Sequence, residues 1–369
     1  MAEEKRLLIA LLGLLALLGC SKDHPEVEPV ETGTPIVFGS RMSEEEAVTR
    51  AEQSLHEAGA DAFRVYGFKN MDYDDMTASY GGLQTVFPGY AVEWRSASAG
   101  TTATNTNDWE YILTGHPQQT IKYWDLSAGA YRFMAWTSTA ETTVTETIGD
   151  TGPAGATELT VTLSGLYADN IATAPFISRL WFSNGNPVDY PDKQFLRPVK
   201  MEFVKPFAKV RFLFISANPT ELPISDIELS NMMFKPTNDS GIGVNGSVTV
   251  VYPLTGAETQ EHYSAASTNS ITALTQNYYE TADPDDENAF KWYAVLPAIG
   301  QGSYTLSVLV FGEPRTAVVP ASYMDWKPGY TYTYVFKVDG EGGVEFGDLR
   351  SAFTPWQPGF EGNETEFNW

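Results

Sequence analysis

The chain has 369 residues, which is enough for more than one domain with its own hydrophobic core. A hydrophobic fraction of 43 % and an aromatic fraction of 13 % indicate a folded protein rather than a disordered one. The formal net charge of −24 argues against nucleic acid as a partner, because so acidic a surface repels phosphates. A single cysteine excludes an internal disulfide, so the fold has to be stabilised by packing.

The N-terminus has the pattern of a secretory signal. A short basic start precedes an apolar run at residues 7–18, which is too short to cross a membrane as a helix. The run ends in Leu17-Leu18-Gly19-Cys20, which resembles the lipobox of bacterial lipoproteins. We therefore expect residues 1–19 to be a signal peptide and Cys20 to carry lipid. Residues 20–33, rich in Pro and Glu, are predicted to be an extended tether.

The segments that follow the tether are short. Residues 34–39 are predicted to form a strand that places Ile36 and Phe38 on one face. Residues 43–58 favour a short surface helix or a flexible link, since Ser43 and Glu46 have capping-box spacing.

From residue 63 onward the pattern is one strand after another. Segments with apolar residues at every second position are bounded by Gly, Pro, Asn and Asp, and occur at residues 63–68, 131–136, 159–164, 210–214, 304–310 and 330–336. No long amphipathic helix separates them, so antiparallel β-sandwiches are favoured over βαβ units. A loop-rich stretch predicts a boundary near residue 195, between an N-terminal domain at 34–195 and a C-terminal domain at 196–369.

No motif in the sequence indicates catalysis, and we expect neither an enzyme nor a cofactor. The segment Gly241-Ile242-Gly243-Val244-Asn245-Gly246 matches the dinucleotide-binding pattern, but a strand-like segment follows where that site needs a helix. We interpret it as a glycine-rich turn. The four histidines lack metal-ligand spacing. Acidic clusters at residues 72–75 and 283–287 lack the glycine and distal glutamate of a calcium loop, so we interpret both as solvated loop tips.

The nine tryptophans have two interpretations. Buried aromatic residues in a sandwich core are the more common reason for such a content. The alternative is a platform on which sugar rings stack.

The chain resembles the fimbrillin-like proteins of the Bacteroidota, the type V pilin group. The resemblance rests on the lipobox and on the order of segments at residues 63–68, 109–111, 122–124, 131–135, 199–212 and 326–332. It implies two transthyretin-like antiparallel β-sandwich domains. It also implies export as a lipoprotein to the surface of the outer membrane, followed by assembly into a fimbrium through β-strand addition between subunits.

The resemblance further implies proteolytic maturation. Arg50 followed by Ala51 is similar to the family's site for an Arg-specific protease, and Arg41 is the alternative. A cut there would release the strand that carries Ile36 and Phe38, and would leave an open slot.

The strand that fills this slot would come from the C-terminal segment of a neighbouring subunit, through Val344, Phe346, Phe353 and Trp356. The predicted function is therefore a structural subunit or accessory protein of a pilus. The alternative is a surface lipoprotein or pilus-tip adhesin that binds a glycan or a host protein. The sequence leaves open whether the subunit belongs to the stalk, the anchor or the tip.

Overall fold

The computed structural model describes residues 33–42, 54–95, 109–150, 156–220, 222–223, 227–238, 240–279, 292–298 and 301–353. All of them from Pro35 onward belong to one compact unit. Its described elements are β-strands and two short 3-10 helices, Ala168–Thr173 and Ala321–Tyr323. No helix within these ranges is long and apolar enough to span a membrane. The predicted all-β class is confirmed.

The first sheet contains eight strands, which are β1 Phe38–Met42, β2 Ala62–Asp74, β3 Ser79–Trp94, β4 Trp109–Glu110, β5 Ala130–Trp136, β8 Ile177–Ser178, β9 Trp181–Ser183 and β10 Val199–Val204. Their order in the sheet is β2-β3-β4-β1-β10-β8-β5-β9, and an additional pairing joins β2 to β5. That pairing curls the sheet around a core of buried aromatic and aliphatic side chains, among them Phe38 and Phe133.

A second sheet covers the other face of these strands. It consists of β6 Thr143–Asp150, β7 Ala156–Tyr167, β13 Ile242–Pro253 and β14 His262–Ile271, in the order β14-β13-β7-β6. Its inward side chains, such as Val161 and Val250, pack against Phe68 and Trp136 of the first sheet.

The remaining strands form a β-sandwich of two four-stranded sheets. One sheet is β16-β11-β19-β20, with β11 Ala208–Ser216, β16 Tyr293–Val295, β19 Tyr330–Val338 and β20 Val344–Phe353. The other is β15-β12-β17-β18, with β12 Leu229–Pro236, β15 Leu274–Tyr279, β17 Tyr304–Val310 and β18 Glu313–Val319. Both sheets contribute to a single core.

Strand β5 confirms the predicted alternation. Tyr131 and Phe133 face the core enclosed by the first sheet, whereas Met134 and Trp136 face the second sheet. Every residue of β5 is buried, because both of its faces are covered.

The tryptophans support the core interpretation over the sugar platform. The buried ones are Trp109, Trp124, Trp136, Trp181 and Trp326. The predicted alternating segment at 330–336, which lies in β19, is also core, since Tyr332, Tyr334 and Phe336 are all buried.

Three local predictions differ from the structure. The first strand begins at Phe38 instead of Thr34, because Pro35 lacks an N–H group and makes only an isolated bridge with Tyr123. Of the predicted helix at 43–58, only residues 54–58 are described, and they form part of a turn. The predicted glycine-rich turn lies largely within β13, where Gly246 sits in a bulge at φ 155°.

Strands from both sides of residue 195 share sheets. β10 pairs with β1 in the first sheet, and β13 pairs with β7 in the second. The division into two domains at this position stays a prediction.

Candidate functional site

The first candidate site is the slot that β1 occupies. Ile36 and Phe38 have no exposed surface, as expected for alternate residues that point into one core. The Phe38 ring lies edge-on to Phe87 at a centroid distance of 5.1 Å and to Phe133 at 5.9 Å. Edge-to-face contacts of this kind stabilise aromatic clusters beyond the area they bury.

Backbone pairing holds β1 on both sides. It runs parallel to β10 over five residue pairs, from Phe38 opposite Val199 to Met42 opposite Phe203. Its other edge meets β4, where Phe38 lies opposite Trp109. Just before the strand, the N–H of Ile36 donates to the carbonyl of Lys122 at 2.7 Å. The slot is therefore an internal position of the sheet, not an edge.

Arg41, the alternative cleavage position, lies inside β1 and forms an ion pair with Glu202 of β10. Burial raises the pKa of Glu202, but the hydrogen bond from Arg41 and the nearby charge of Lys193 outweigh it and hold that pKa below its ordinary value. A protease would have to break this pairing before it could reach the bond after Arg41. Arg50, Ala51 and Cys20 lie outside the described residues.

The predicted donor segment is paired within its own chain. Strand β20 runs antiparallel to β19, with Val344 opposite Val338 and Phe353 opposite Tyr330. Val344 and Phe346 are half-buried against the core of the sandwich. Because β20 is the outer strand of its sheet, only one side of it is paired there. Trp356 lies outside the described residues.

The second candidate site is a polar cleft of about 670 Å³. Five segments that are distant in sequence line it, namely residues 179–182, the loop residues Tyr190 and Lys193, Glu202 of β10, residues 258–263 leading into β14, and residues 325–330 leading into β19. Its volume falls within the range of about 300–1,000 Å³ that is typical of small-molecule sites.

Buried contacts fix the floor and one wall of the cleft. The guanidinium of Arg132 lies over the Phe182 ring at 4.7 Å and donates to the carbonyl of Gly256 at 2.8 Å. The Glu261 carboxylate accepts the N–H of Leu180 at 2.8 Å and the hydroxyl of Tyr263 at 2.6 Å. The chain from Gly256 to Glu261 is thus tied to Arg132 of β5 and to Leu180, which lies between β8 and β9.

Electrostatics in the cleft are balanced. Three cations, Arg179, Lys193 and Lys327, face four carboxylates, Glu202, Glu258, Glu261 and Asp325. Arg179 donates to the hydroxyl of Tyr330 at 3.0 Å. Burial lowers the pKa of Lys193, although the nearby Glu202 opposes that shift.

The acidic cluster at 72–75 lies at the end of β2 and reaches with Asp75 into the hairpin turn between β2 and β3. Asp74 accepts the N–H of Met76 and the hydroxyl of Thr77, each at 2.9 Å, and these bonds lower its pKa. Among the described residues, no group of three or more His, Cys, Asp or Glu side chains could hold a metal ion. The second acidic cluster, at 283–287, lies outside the described residues.

Sequence reasoning placed Ile36 and Phe38 on one apolar face, which the structure buries, but it missed the cleft. The composition of the loop at 183–192 predicted a domain boundary. The structure instead places Tyr190 of this loop in the wall of the cleft, together with Lys193. No local pattern could have joined these two residues to Glu261 and Asp325, because only the tertiary fold brings the segments together.

No protein-family model and no curated protein matches the sequence. Several crystal structures are similar to this chain. A proposed cell adhesion protein from Bacteroides uniformis is 14 % identical with a TM-score of 0.34, over 88 % of this chain and 100 % of that one. Another from Bacteroides ovatus is 9 % identical with a TM-score of 0.37, over 88 % and 99 %. A structure of proposed polysaccharide-binding proteins from Bacteroides thetaiotaomicron is 12 % identical with a TM-score of 0.32, over 85 % and 97 %.

At such low identities and TM-scores, no ligand, partner or assembly state follows from the likeness. The class of this protein is defined by its own strands, which form an all-β, predominantly antiparallel fold of the β-sandwich type.

Proposed function

We propose that this chain is a surface lipoprotein subunit of a bacterial fimbrium that assembles by strand exchange. One observation carries the proposal. A strand of five residues near the N-terminus, β1, fills an internal slot of the first sheet, and the segment with the predicted cleavage site at Arg50 follows it directly. Cleavage in that segment separates β1 covalently from the rest of the fold. The proposal assigns no reaction to the chain.

An empty slot is unfavourable, and this drives exchange. Loss of Ile36 and Phe38 exposes two side-chain cavities, and each such burial stabilises a fold by about 1.5–3 kcal/mol. The flanking strands β4 and β10 also lose backbone hydrogen bonds, and such an open position pairs readily with another strand. A strand from a neighbouring subunit fills the two cavities again and restores the backbone hydrogen bonds.

The donor is the C-terminal segment of a neighbouring copy or of a related subunit. Val344 and Phe346 repeat the spacing of Ile36 and Phe38, with apolar side chains two positions apart. A strand with this period can place one aromatic and one aliphatic side chain on the same face. Main-chain pairing then gives strength, and the alternate side chains fix the register.

The remaining partners follow from the N-terminal signal. Lipid on Cys20 anchors the precursor in the outer membrane, with the folded part displayed at the cell surface. An Arg-specific protease then releases β1 by cutting after Arg50.

A purified full-length chain tests the exchange directly. It is first treated with an Arg-specific protease, and the protease is inhibited before a fluorescent peptide of residues 344–356 is added, because the peptide itself contains Arg350. We expect the cleaved chain to bind the peptide and the uncut chain not to bind it. The same peptide with Phe346→Asp is the matched control, because a charge in the slot is strongly unfavourable. Equal binding of both peptides would contradict the proposal.

Surface fibres test the cleavage site. Arg50→Ala with Arg41 intact should block incorporation of the chain into fibres, whereas Arg197→Ala, at an exposed arginine, should not. Deletion of residues 344–369 should abolish incorporation independently. Wild-type incorporation of Arg50→Ala, with an unchanged mature N-terminus, would remove Arg50 from the mechanism.

A further inference from the structure

The polar cleft carries groups that the fold itself does not use. Within the described part of the chain, the half-buried Lys193 ammonium makes no hydrogen bond and no ion pair. The Oδ1 atom of Asp325 is buried and has no hydrogen-bond partner among the described residues. Its Oδ2 atom lies 4.0 Å from the Lys327 ammonium, at the outer limit of an ion pair. Polar atoms in such positions normally have a hydrogen-bond partner. Their unused donors and acceptors therefore point to a bound molecule.

The charges select the kind of molecule. Three cations and four carboxylates nearly cancel, so the cleft favours neither a strongly anionic nor a strongly cationic ligand. An unused ammonium supplies donors, and an unused carboxylate oxygen supplies an acceptor. A hydroxyl group both donates and accepts, so a molecule with several hydroxyls can satisfy both without any net charge.

The aromatic side chains fit the same chemistry. Tyr190 and Tyr330 line the cleft and are half-buried, so part of each side chain faces its interior. The C–H faces of a sugar ring pack against aromatic rings while its hydroxyls point sideways. A lipid or an apolar peptide would instead leave the charged lining without hydrogen bonds, which is costly in a partly desolvated site.

The walls are fixed before any ligand enters. Arg132 holds the segment before β14 through the carbonyl of Gly256, and Glu261 holds it through the N–H of Leu180. A preformed site loses less entropy on binding than a mobile one.

From this geometry we propose that the cleft binds a neutral oligosaccharide, with Lys193 and Asp325 hydrogen-bonded to its hydroxyls and a sugar ring against Tyr190. The cleft and the slot of β1 share Glu202, which lines the cleft and pairs with Arg41 of β1. Lys193, Asp325 and Tyr190 do not pair with β1, and the test uses the uncut chain, in which β1 is in place.

Isothermal titration of the full chain tests this proposal. The probes are maltotriose, cellotriose, mannotriose and xylotriose, with trigalacturonic acid as the acidic comparison. We expect at least one neutral trisaccharide to bind more tightly than the acidic one. Lys193→Ala removes a hydrogen bond from a partly desolvated site and should weaken that binding about tenfold or more. Asp325→Asn replaces a charged acceptor by a neutral one and should also weaken it.

Two matched controls come from the same loop. Arg197→Ala and Asp192→Asn change exposed residues that do not line the cleft, and both should bind like the wild type. Thermal unfolding of every variant shows whether it is folded. Binding of none of the neutral probes, binding of trigalacturonic acid alone, or unchanged binding in folded Lys193 and Asp325 variants would each overturn the proposal.

Discussion

The hydroxyl of Tyr252 in β13 donates a 2.7 Å hydrogen bond to the backbone carbonyl of Ser178 in β8, although 74 positions separate the two residues in sequence. Both side chains are fully buried, so water cannot take the place of either partner. The hydroxyl of Ser178 in turn accepts the N–H of Ala135 in β5 at 2.8 Å. This chain of bonds ties the second sheet to the first across the position at which the sequence predicts a domain boundary.

We expect Tyr252→Phe to lower the free energy of unfolding by about 1–3 kcal/mol, because the Ser178 carbonyl loses a buried hydrogen bond. Urea denaturation followed by tryptophan fluorescence measures the change. Tyr323→Phe, at a tyrosine that is 40 % exposed, is the matched control and should stay near the wild type. If the two variants are equally stable, the bond contributes nothing to the joining of the sheets.

Tyr332→Ala should lower the free energy of unfolding by about 3–5 kcal/mol, because it leaves a large cavity in the core of the sandwich. Tyr332→Phe should cost about 1 kcal/mol, since only the hydroxyl is lost. That hydroxyl donates to the carbonyl of Asp325 and accepts the N–H of Lys327, each at 2.8 Å. Guanidinium chloride denaturation gives both values. A loss below about 1 kcal/mol for Tyr332→Ala would contradict the assignment of this face to the core.

The strands could be predicted because their side chains obey a local rule. Tyr304–Val310 alternates between buried and half-buried positions along its whole length, as its sequence indicates. The alternation in β5 was likewise readable from neighbouring residues, even though both of its faces are buried. Apolar residues recur at every second position of the sequence wherever one face of a strand packs against a core.

The arrangement of the sheets and the cleft could not be predicted in this way. The parallel pairing of β1 with β10 joins Phe38 to Val199, and no local pattern encodes a contact over such a distance. The bulge at Gly246 was not predicted either, because a glycine-rich segment of this kind is also typical of a turn. There, an added Cβ would lie 2.1 Å from the carbonyl oxygen of Ala266, so the strand requires glycine.

Lys205 should make stability depend on pH. Its side chain is buried, donates to the carbonyl of Ala174 and lies 3.7 Å from the centre of the Phe176 ring. Burial lowers its pKa from 10.5 to about 7 in the folded state. Between these two values the unfolded chain binds one more proton than the folded chain, so the stability contributed by this group rises with pH.

Lys205→Met removes that titration. We expect the difference in unfolding free energy between variant and wild type to move in favour of the wild type as pH rises from 7 to 9, by about 1.4 kcal/mol per pH unit. Urea denaturation at several pH values measures the slope. A constant offset reflects only the lost bond to Ala174, so a flat difference would show that Lys205 has an ordinary pKa.

Phe38→Ala should lower the free energy of unfolding by about 3–5 kcal/mol, because it empties the centre of the aromatic cluster around β1. Phe38→Leu should cost clearly less, since a leucine fills most of the same volume. Val318→Ala, at a residue that is 55 % exposed, is a surface control. Thermal unfolding of the three variants gives the order, and equal effects of Phe38→Ala and Val318→Ala would contradict a buried slot.

The parallel pairing of β1 and β10 also has a mechanical consequence. Consider tension that pulls the segment before Phe38 away from the segment after Val204. In a parallel pair these two points lie at opposite ends of the ladder, so the strands are sheared along their length and cannot peel apart one bond at a time. All five residue pairs share the load at once. While it is intact, β1 therefore resists tension between the residues just before it and the strand that it pairs with.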